Sequence, residues 1–252
     1  MPGVRMPLAD FQTSLGLMIR AGNPARLEAE TGSLSLSESE LASLGELRSS
    51  PGLQFTILVQ RSWCSGRTSK AAHFTLSILP ENLRLSLLKA WVDAGGGTMS
   101  FIAAEAAAFL NFLSEQLATR PHERSVCEFE MAALRVAEGV AAFQPPEFSA
   151  VNFKTPIRRG RYASVVKFRG NPNTVLKAMV ERQTVAISGA ETALIFGPGL
   201  TGLQRVASQE EAKLFEWLET PSTIEELHRQ GWQWELVEDC LRVGVVECCA
   251  IM

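Results

Sequence analysis

The pattern of apolar residues changes at Gln144-Pro145-Pro146, and this change constrains the fold more than any other feature of the sequence. Before it, apolar residues recur at the three- and four-residue spacing of amphipathic helices. After it, short runs alternate between apolar and polar residues, as they do in β-strands. We therefore predict an α+β protein, with an N-terminal α-helical domain over residues 1–150 and a second domain over residues 151–252.

The first domain is predicted to contain six or seven helices in a bundle-like arrangement. Ser37 and Glu40 have the spacing of a capping box, and Pro51 suits the first turn of a helix that follows Ser50. Gly95-Gly96-Gly97 is expected to end a helix that begins at Pro80. Other helices are expected over residues 8–20, 100–117 and 126–143.

The second domain combines short strands with three helices. Its predicted strands cover residues 162–168, 176–180, 184–187 and 193–196. Three helices are then expected over residues 208–218, 222–230 and 232–243 or 234–243, with Ser208 and Glu211 as a second capping box. A final short strand is expected at Val245-Val246. Antiparallel strands followed by three helices indicate a winged-helix-like domain.

Charge bears on what such a domain binds. The chain carries 24 Lys and Arg against 27 Asp and Glu, and residues 183–252 contain four basic and eleven acidic residues. The helix that would enter a DNA groove carries Glu235, Glu238 and Asp239 against only Arg242, which is the wrong sign for phosphate contacts. We therefore expect no nucleic-acid partner, and a winged-helix transcription regulator with a helical sensor domain is the alternative function.

Neither a membrane span nor a metal site is expected from the sequence. The most apolar stretch, residues 101–113, is interrupted by Glu105 and Asn111 and is shorter than the roughly 18 apolar residues of a spanning helix. The N-terminus lacks the pattern of a signal peptide, so we expect a cytoplasmic protein without a membrane partner. Five cysteines without CxxC spacing and three isolated histidines do not suit a transition-metal site, so we expect this chain to hold no metal and no cofactor.

The most unusual cluster of functional side chains in the sequence consists of Arg61, Trp63, Cys64 and Arg67, which we place at a helix end. Two interpretations are open: a helix end with a core tryptophan, or a docking or anion-binding corner whose arginines grip a carboxylate. Glu105 lies on an otherwise apolar helix stripe and needs a partner, for which an arginine such as Arg61 is the obvious type. A free-standing enzyme with Cys64 as nucleophile is a further hypothesis, although no base neighbours it in sequence.

A peptide laid along an exposed strand suits the second domain better than DNA does. We expect the strand 192–196 to pair with an extended leader peptide, whose apolar side chains enter a groove against the last helix. Leu194 and Phe196 are two residues apart in a strand, and Leu236 and Cys240 are four apart in a helix, so the members of each pair lie on one face. The predicted peptide-binding residues are Leu194, Phe196, Trp234, Leu236 and Cys240.

Several of these segments together resemble one known family, the small partner subunits of multinuclear non-haem iron oxidative enzymes in ribosomal peptide natural-product pathways. The partner proteins of the methanobactin and 3-thiaglutamate pathways are examples. The resemblance is most specific over residues 50–145, and over residues 156–252 only the order of strands and helices is similar to a peptide recognition element. The residues that carry it are Phe55-Thr56, Val59 to Cys64, Gly66-Arg67, Leu76 to Pro80, Trp91-Val92, Gly95 to Thr98, Phe101 and Ala104 to Ala106.

The resemblance implies a subunit that is not an enzyme on its own and has no catalytic residues. It implies a heterodimer in which the larger subunit holds the iron ions and this chain engages the precursor peptide. The complex would then oxidatively modify a peptide cysteine, either by excising its β-carbon, as in 3-thiaglutamate synthesis, or by forming an oxazolone with a thioamide. Arg61, Trp63, Cys64, Arg67 and Glu105 are the expected interface or substrate-positioning residues.

Overall fold

A computed structural model of the chain describes residues 7–20, 34–97, 99, 102–183, 185 and 190–249. Contacts between residues divide the chain into two compact units, residues 1–112 and 113–252. Each unit is described by itself. No helix in the described ranges combines the length and apolar character that a membrane crossing requires.

The first unit is helical. Its helices are α1 (Pro7–Arg20), α2 (Glu38–Ser49), α3 (Pro51–Ala71), α4 (His73–Ile78), α5 (Glu81–Asp93) and α6 (Ile102–Gln116), of which α6 extends past residue 112. The longest of them, α3, contacts α1, α2 and α5. Its buried face meets Met18 of α1 and Leu44 of α2 through Leu53.

Two predicted helix starts in this unit, at Ser37 and at Ser50-Pro51, are confirmed. The Ser37 hydroxyl accepts the backbone N–H of Glu40 at 3.3 Å, and the Glu40 carboxylate accepts the backbone N–H of Ser37 at 2.8 Å. The Ser50 hydroxyl accepts the backbone N–H of Leu53 at 3.2 Å, with Pro51 in the first turn of α3. These caps satisfy backbone donors that have no partner inside the helix.

The first helix that lies wholly in the second unit is α7 (Pro121–Gly139), and this unit contains two three-stranded antiparallel sheets. Its other elements are β1 (Pro156–Arg159), β2 (Ser164–Arg169), α8 (Pro172–Val180), β3 (Glu191–Phe196), β4 (Gln204–Val206), α9 (Gln209–Trp217), β5 (Ser222–Thr223), α10 (Ile224–Arg229), α11 (Trp234–Arg242) and β6 (Val246–Cys248). One sheet has the order β2-β3-β4 and the other β5-β1-β6. The α+β class and the three late helices are confirmed.

Helix α7 belongs to this second unit because it packs on the β2-β3-β4 sheet. Phe129 meets Phe168 of β2 and Phe196 of β3 edge-on, with ring centroids 6.5 and 5.5 Å apart. The Ser125 hydroxyl donates to the carbonyl of Lys167 at 2.7 Å. The contact division at residues 112/113 therefore precedes the change of sequence pattern at Gln144-Pro145-Pro146.

One predicted strand is wrong. Residues 176–180 lie in helix α8, because Asn171 caps it by accepting the backbone N–H groups of Asn173 and Thr174 at 3.0 and 3.2 Å. Pro172 occupies the first helical turn, where its missing N–H costs nothing. The strand predicted over residues 184–187 lies outside the described residues, apart from position 185.

Strand β3 is buried on both faces over its last three residues, 194–196. Ile195 joins a core cluster with Cys240 and Leu241 of α11, whereas Leu194 and Phe196 join a separate cluster with residues of α7, β2 and α8. Neighbouring side chains of a strand point to opposite faces, so the sheet separates these two clusters.

Candidate functional sites

The corner predicted at Arg61, Trp63, Cys64 and Arg67 lies in the middle of α3, so its placement at a helix end is wrong. The helix continues past these residues to Ala71 because one of its faces, which includes Cys64, is buried along its length at Leu53, Cys64, Thr68 and Ala71. The one glycine nearby, Gly66, costs about 1 kcal/mol in a helix, which such burial outweighs.

The exposed face of α3 is apolar over two turns. Phe55, Leu58, Val59 and Trp63 follow the spacing of one helix face and are called the apolar stripe. Their side chains are 68, 62, 49 and 54% exposed. Trp63 is therefore not a core residue, and the interpretation of a core tryptophan is wrong.

The two arginines of this region have different roles. Arg61 forms an ion pair with Asp93, which joins α3 to the last turn of α5. Arg67 places its guanidinium over the ring of Trp63, 5.2 Å from the ring centroid. It has no ion-pair partner in the part of the chain that the structure describes. Arg61 therefore stabilises the packing of α3 against α5, and Arg67 is the cation beside the apolar stripe.

Glu105 is fully buried, and its partners are not those that the sequence predicted. Its carboxylate accepts the indole N–H of Trp91 at 3.0 Å, the backbone N–H of Gly97 at 2.7 Å and that of Met99 at 3.0 Å. Arg61 pairs with Asp93 instead. The sequence predicted none of these described partners, because backbone donors carry no side-chain signature and Trp91 lies 14 residues away in the chain. The glycine triplet beside them was the available signal.

The glycine triplet that ends α5 is packed against this network. A Cβ atom at Gly96 would lie 2.0 Å from the Trp91 ring, and one at Gly97 would lie 2.5 Å from Cβ of Cys64. Gly97 also has a φ of +82°, a conformation that side chains rarely adopt. Trp91 in turn contacts Phe109 and Phe112, with ring centroids 5.5 and 5.3 Å apart. Glu105, Trp91 and the glycines thus hold α5 and α6 together.

Cys64 is a poor nucleophile in this setting. Its side chain is buried against the glycine triplet, and the side-chain amide of Gln60 donates to its sulfur at 3.5 Å. Burial raises the pKa of the Cys64 thiol, which the Gln60 hydrogen bond only partly opposes. Burial likewise raises the pKa of Cys240 to about 12. A raised pKa leaves less thiolate at neutral pH, and the thiolate is the reactive form.

We expect thiol labelling to separate the five cysteines of the native chain. Cys64, Cys127 and Cys240 are buried and should react with iodoacetamide only after unfolding, whereas the half-buried Cys248 and Cys249 should react first. Peptide mass spectrometry after a timed reaction measures this, with the chain in denaturant as the control for full labelling. Rapid native labelling of Cys64 would contradict this result and support the free-standing enzyme hypothesis.

The structure corrects the predicted placement of the peptide on β3. That strand is the middle strand of its sheet: β2 pairs with it from Ser164↔Phe196 to Arg169↔Glu191, and β4 pairs with residues 194–196 on the other edge. Leu194 and Phe196 face α7 and α8, while Cys240 is buried on the opposite side of the sheet. These residues therefore do not form a common open groove. Leu236 packs at the margin of the Cys240 cluster.

An open apolar cavity lies elsewhere in the second unit. It has a volume of about 420 Å³ and includes Trp234, one of the predicted peptide-binding residues. The segment before β1, helix α10 and the start of α11 form its walls, which consist of Val151, Asn152, Phe153, Ile224, Leu227, His228, Trp232, Trp234 and Val237.

No protein-family model matches the chain, and no curated protein matches it either. Among the described residues, no three His, Cys, Asp or Glu side chains are grouped in a way that could hold a metal ion. A functional assignment therefore depends on the apolar stripe, the open cavity and the resemblance carried by residues 50–145.

Proposed function

We propose that this chain is a non-catalytic but required partner subunit, which binds a multinuclear iron oxidative enzyme and the leader of a ribosomally made precursor peptide. The observation that carries this proposal is the apolar stripe of α3, which lies within the segment that resembles such partner subunits. The iron ions of the larger subunit would supply the oxidation of a peptide cysteine, and this chain would supply binding.

The composition of the stripe supports a protein partner. Phe55 and Trp63 are large aromatic residues, and Arg67 lies over the Trp63 ring. Exposed aromatic residues and arginines are enriched at the centres of protein interfaces, where they contribute most of the binding energy. Adjacent exposed apolar residues on one helix face mark interaction sites more often than isolated ones do.

The arrangement of the second unit supports a winged-helix-like recognition domain. Strand β5 lies between α9 and α10, β6 follows α11, and β1 pairs with both strands to complete the sheet. Helices α10 and α11 carry five acidic residues against two arginines. This charge favours a basic peptide over the phosphates of duplex DNA. The product, a cysteine without its β-carbon or an oxazolone with a thioamide, would depend on the larger subunit and the precursor.

We expect Leu58→Glu to weaken association with the iron enzyme at least tenfold while leaving the fold intact. A carboxylate at this position would be buried without a partner in the interface, whereas in the free chain the side chain is 62% exposed. The matched control is Leu85→Glu on α5, where leucine is 56% exposed and lies outside the stripe. Co-expression of the chain with the iron enzyme, followed by co-purification and measurement of iron per complex, gives the comparison.

Two results would contradict the proposed function, and a third would contradict the assignment of the stripe. The first is a wild-type chain that does not co-purify with the iron enzyme and does not support its oxidation of the precursor. The second is tight binding of duplex DNA at physiological salt, which would favour the transcription regulator. Equal losses for Leu58→Glu and Leu85→Glu would overturn the assignment of the stripe.

A further inference from the structure

We infer that the cavity beside α10 and α11 binds one large apolar side chain of the precursor peptide, with a basic residue next to it. This inference deepens the proposed function and depends on it for the identity of the peptide. It replaces the predicted groove at Leu194, Phe196 and Cys240, whose residues are buried in the two core clusters of the unit.

The walls of the cavity are suited to an apolar side chain. Ile224, Leu227 and Val237 are buried, while Trp232 and Trp234 are half-buried and Phe153 is 64% exposed. A volume of about 420 Å³ is in the range of small-ligand pockets. Three aromatic rings around an opening are costly to leave in water, and an inserted apolar side chain would remove that cost.

Backbone hydrogen bonds hold the walls in place. The N–H of Glu225 donates to the carbonyl of Phe153 at 2.9 Å, and the N–H of Ile224 donates to that of Thr155 at 3.3 Å. The N–H of Trp232 donates to the carbonyl of Leu227 at 3.1 Å. The Phe153 ring also meets the His228 ring edge-on, at a centroid distance of 6.4 Å. A cavity already fixed in this way loses little entropy when a ligand enters.

The charges around the cavity point to a basic peptide. Glu225 pairs with Arg229 at 3.0 Å and Glu238 with Arg242 at 2.6 Å, so these charges are neutralised locally. Glu235 follows Trp234 directly and is exposed, without an ion-pair partner in the described part of the chain. Lys154, beside Phe153, adds one positive charge against the net acidic charge of α10 and α11. A lysine or arginine beside the inserted side chain would complement that charge.

The test uses the full chain and a synthetic probe, a labelled seven-residue peptide of sequence Gly-Ser-Lys-X-Lys-Ser-Gly with X as Phe, Leu or Ala. Fluorescence anisotropy should show the Phe and Leu peptides binding about tenfold or more tightly than the Ala peptide, because only they fill the cavity. Added salt should weaken binding of the Phe and Leu peptides. Equal affinities for the three peptides would overturn the inference.

Two variants, compared with a matched control, locate the binding. His228→Trp places a larger ring at the mouth and should lower affinity for the Phe peptide at least tenfold. Gln230→Trp, two residues further along and outside the cavity walls, is the matched control and should bind as wild type does. Glu235→Lys leaves the cavity open and should weaken binding by reversing the charge, which keeps the test decisive if His228→Trp does not fold. Equal affinities for the His228→Trp and Gln230→Trp chains would overturn the placement.

The same variants separate this inference from the proposed function. If the complex of His228→Trp with the iron enzyme modifies the precursor with an unchanged KM, the cavity assignment fails and the partner role stands. If the chain binds the Phe peptide in the cavity but no iron enzyme associates with it, the partner role fails and the cavity is a peptide site of another kind.

Discussion

Replacing Glu105 with alanine is expected to lower the free energy of unfolding of the N-terminal unit by about 3–5 kcal/mol. Among the described residues, the substitution removes the acceptor of three donors at once, namely the indole N–H of Trp91 and the backbone N–H groups of Gly97 and Met99. A buried donor left without a partner costs about 1–3 kcal/mol, and the site also loses packed volume. Such a loss is a large share of the roughly 5–15 kcal/mol that stabilises a typical protein.

Urea unfolding and amide hydrogen exchange on the full chain would measure this effect. Exchange should accelerate in α5 and α6, with α9 to α11 of the other unit as an internal reference. Glu46→Ala on α2, which removes an exposed carboxylate, is the control and should change stability by less than about 0.5 kcal/mol. Glu105→Gln keeps one acceptor oxygen and should lie between the two. If Glu105→Ala were as stable as Glu46→Ala, the carboxylate would not be what holds the glycine triplet.

Features that depend on a few adjacent residues could be predicted from the sequence. The capping box of Ser37 with Glu40 and that of Ser208 with Glu211 are both present, because each one depends on side chains three residues apart. The start of α3 at Ser50 and Pro51 follows for the same reason. Asn171-Pro172 is an equally local signal for a helix start, and it contradicts the strand predicted over residues 176–180.

Features that depend on distant residues could not be predicted in this way. The alternating pattern of β3 would be the same in an edge strand and in a central strand. The sequence therefore does not show that β4 pairs with residues 194–196. The partner of Glu105 was predicted as an arginine, because a sequence shows charged side chains and does not show which backbone N–H groups a turn will present. The cavity combines residues 151–153 with α10 and α11, which are more than 70 residues apart in the chain.

The apolar stripe is an intermediate case. The sequence indicated Trp63 and Arg67 as a docking corner or a core feature, and their exposure on α3 decides against the core. Burial could not be predicted from α3 alone, because apolar residues occur on both of its faces: Leu53 and Cys64 on one, Phe55 and Leu58 on the other. Which face is covered depends on the helices that contact α3, and Leu53 clusters with residues of α1 and α2 on the covered side.

Gly97→Ala is expected to destabilise the N-terminal unit by about 3 kcal/mol or more, through two independent effects. The φ of +82° is unfavourable for any residue with a side chain, at a cost of about 1–2 kcal/mol. The new Cβ would also lie 2.5 Å from Cβ and 3.0 Å from Cα of Cys64, so that α3 and the turn after α5 must separate. Overpacking of this kind costs about 1–3 kcal/mol more.

Gly66→Ala is the matched control and should have the opposite sign. A Cβ at Gly66 meets no other atom within 4 Å, and the residue lies inside α3. Alanine there should raise the free energy of unfolding by about 0.5–1 kcal/mol, since glycine loses more backbone entropy in a helix. Both variants can be compared with wild type by urea unfolding of the full chain, with hydrogen exchange in α3 and α5 to locate the change.

A second substitution distinguishes the cause of the Gly97→Ala effect. Cys64→Ala keeps the Cβ atom that the new methyl group meets and removes only the sulfur at 3.1 Å, so it should restore little of the lost stability. Full recovery in the double variant would show that the sulfur is the obstacle, and that α3 and the glycine turn are not in backbone contact. If the Gly97→Ala chain were as stable as wild type, the close approach of α3 to the glycine turn would be contradicted. The packing around this turn that positions Trp91 and Glu105 would then be contradicted as well.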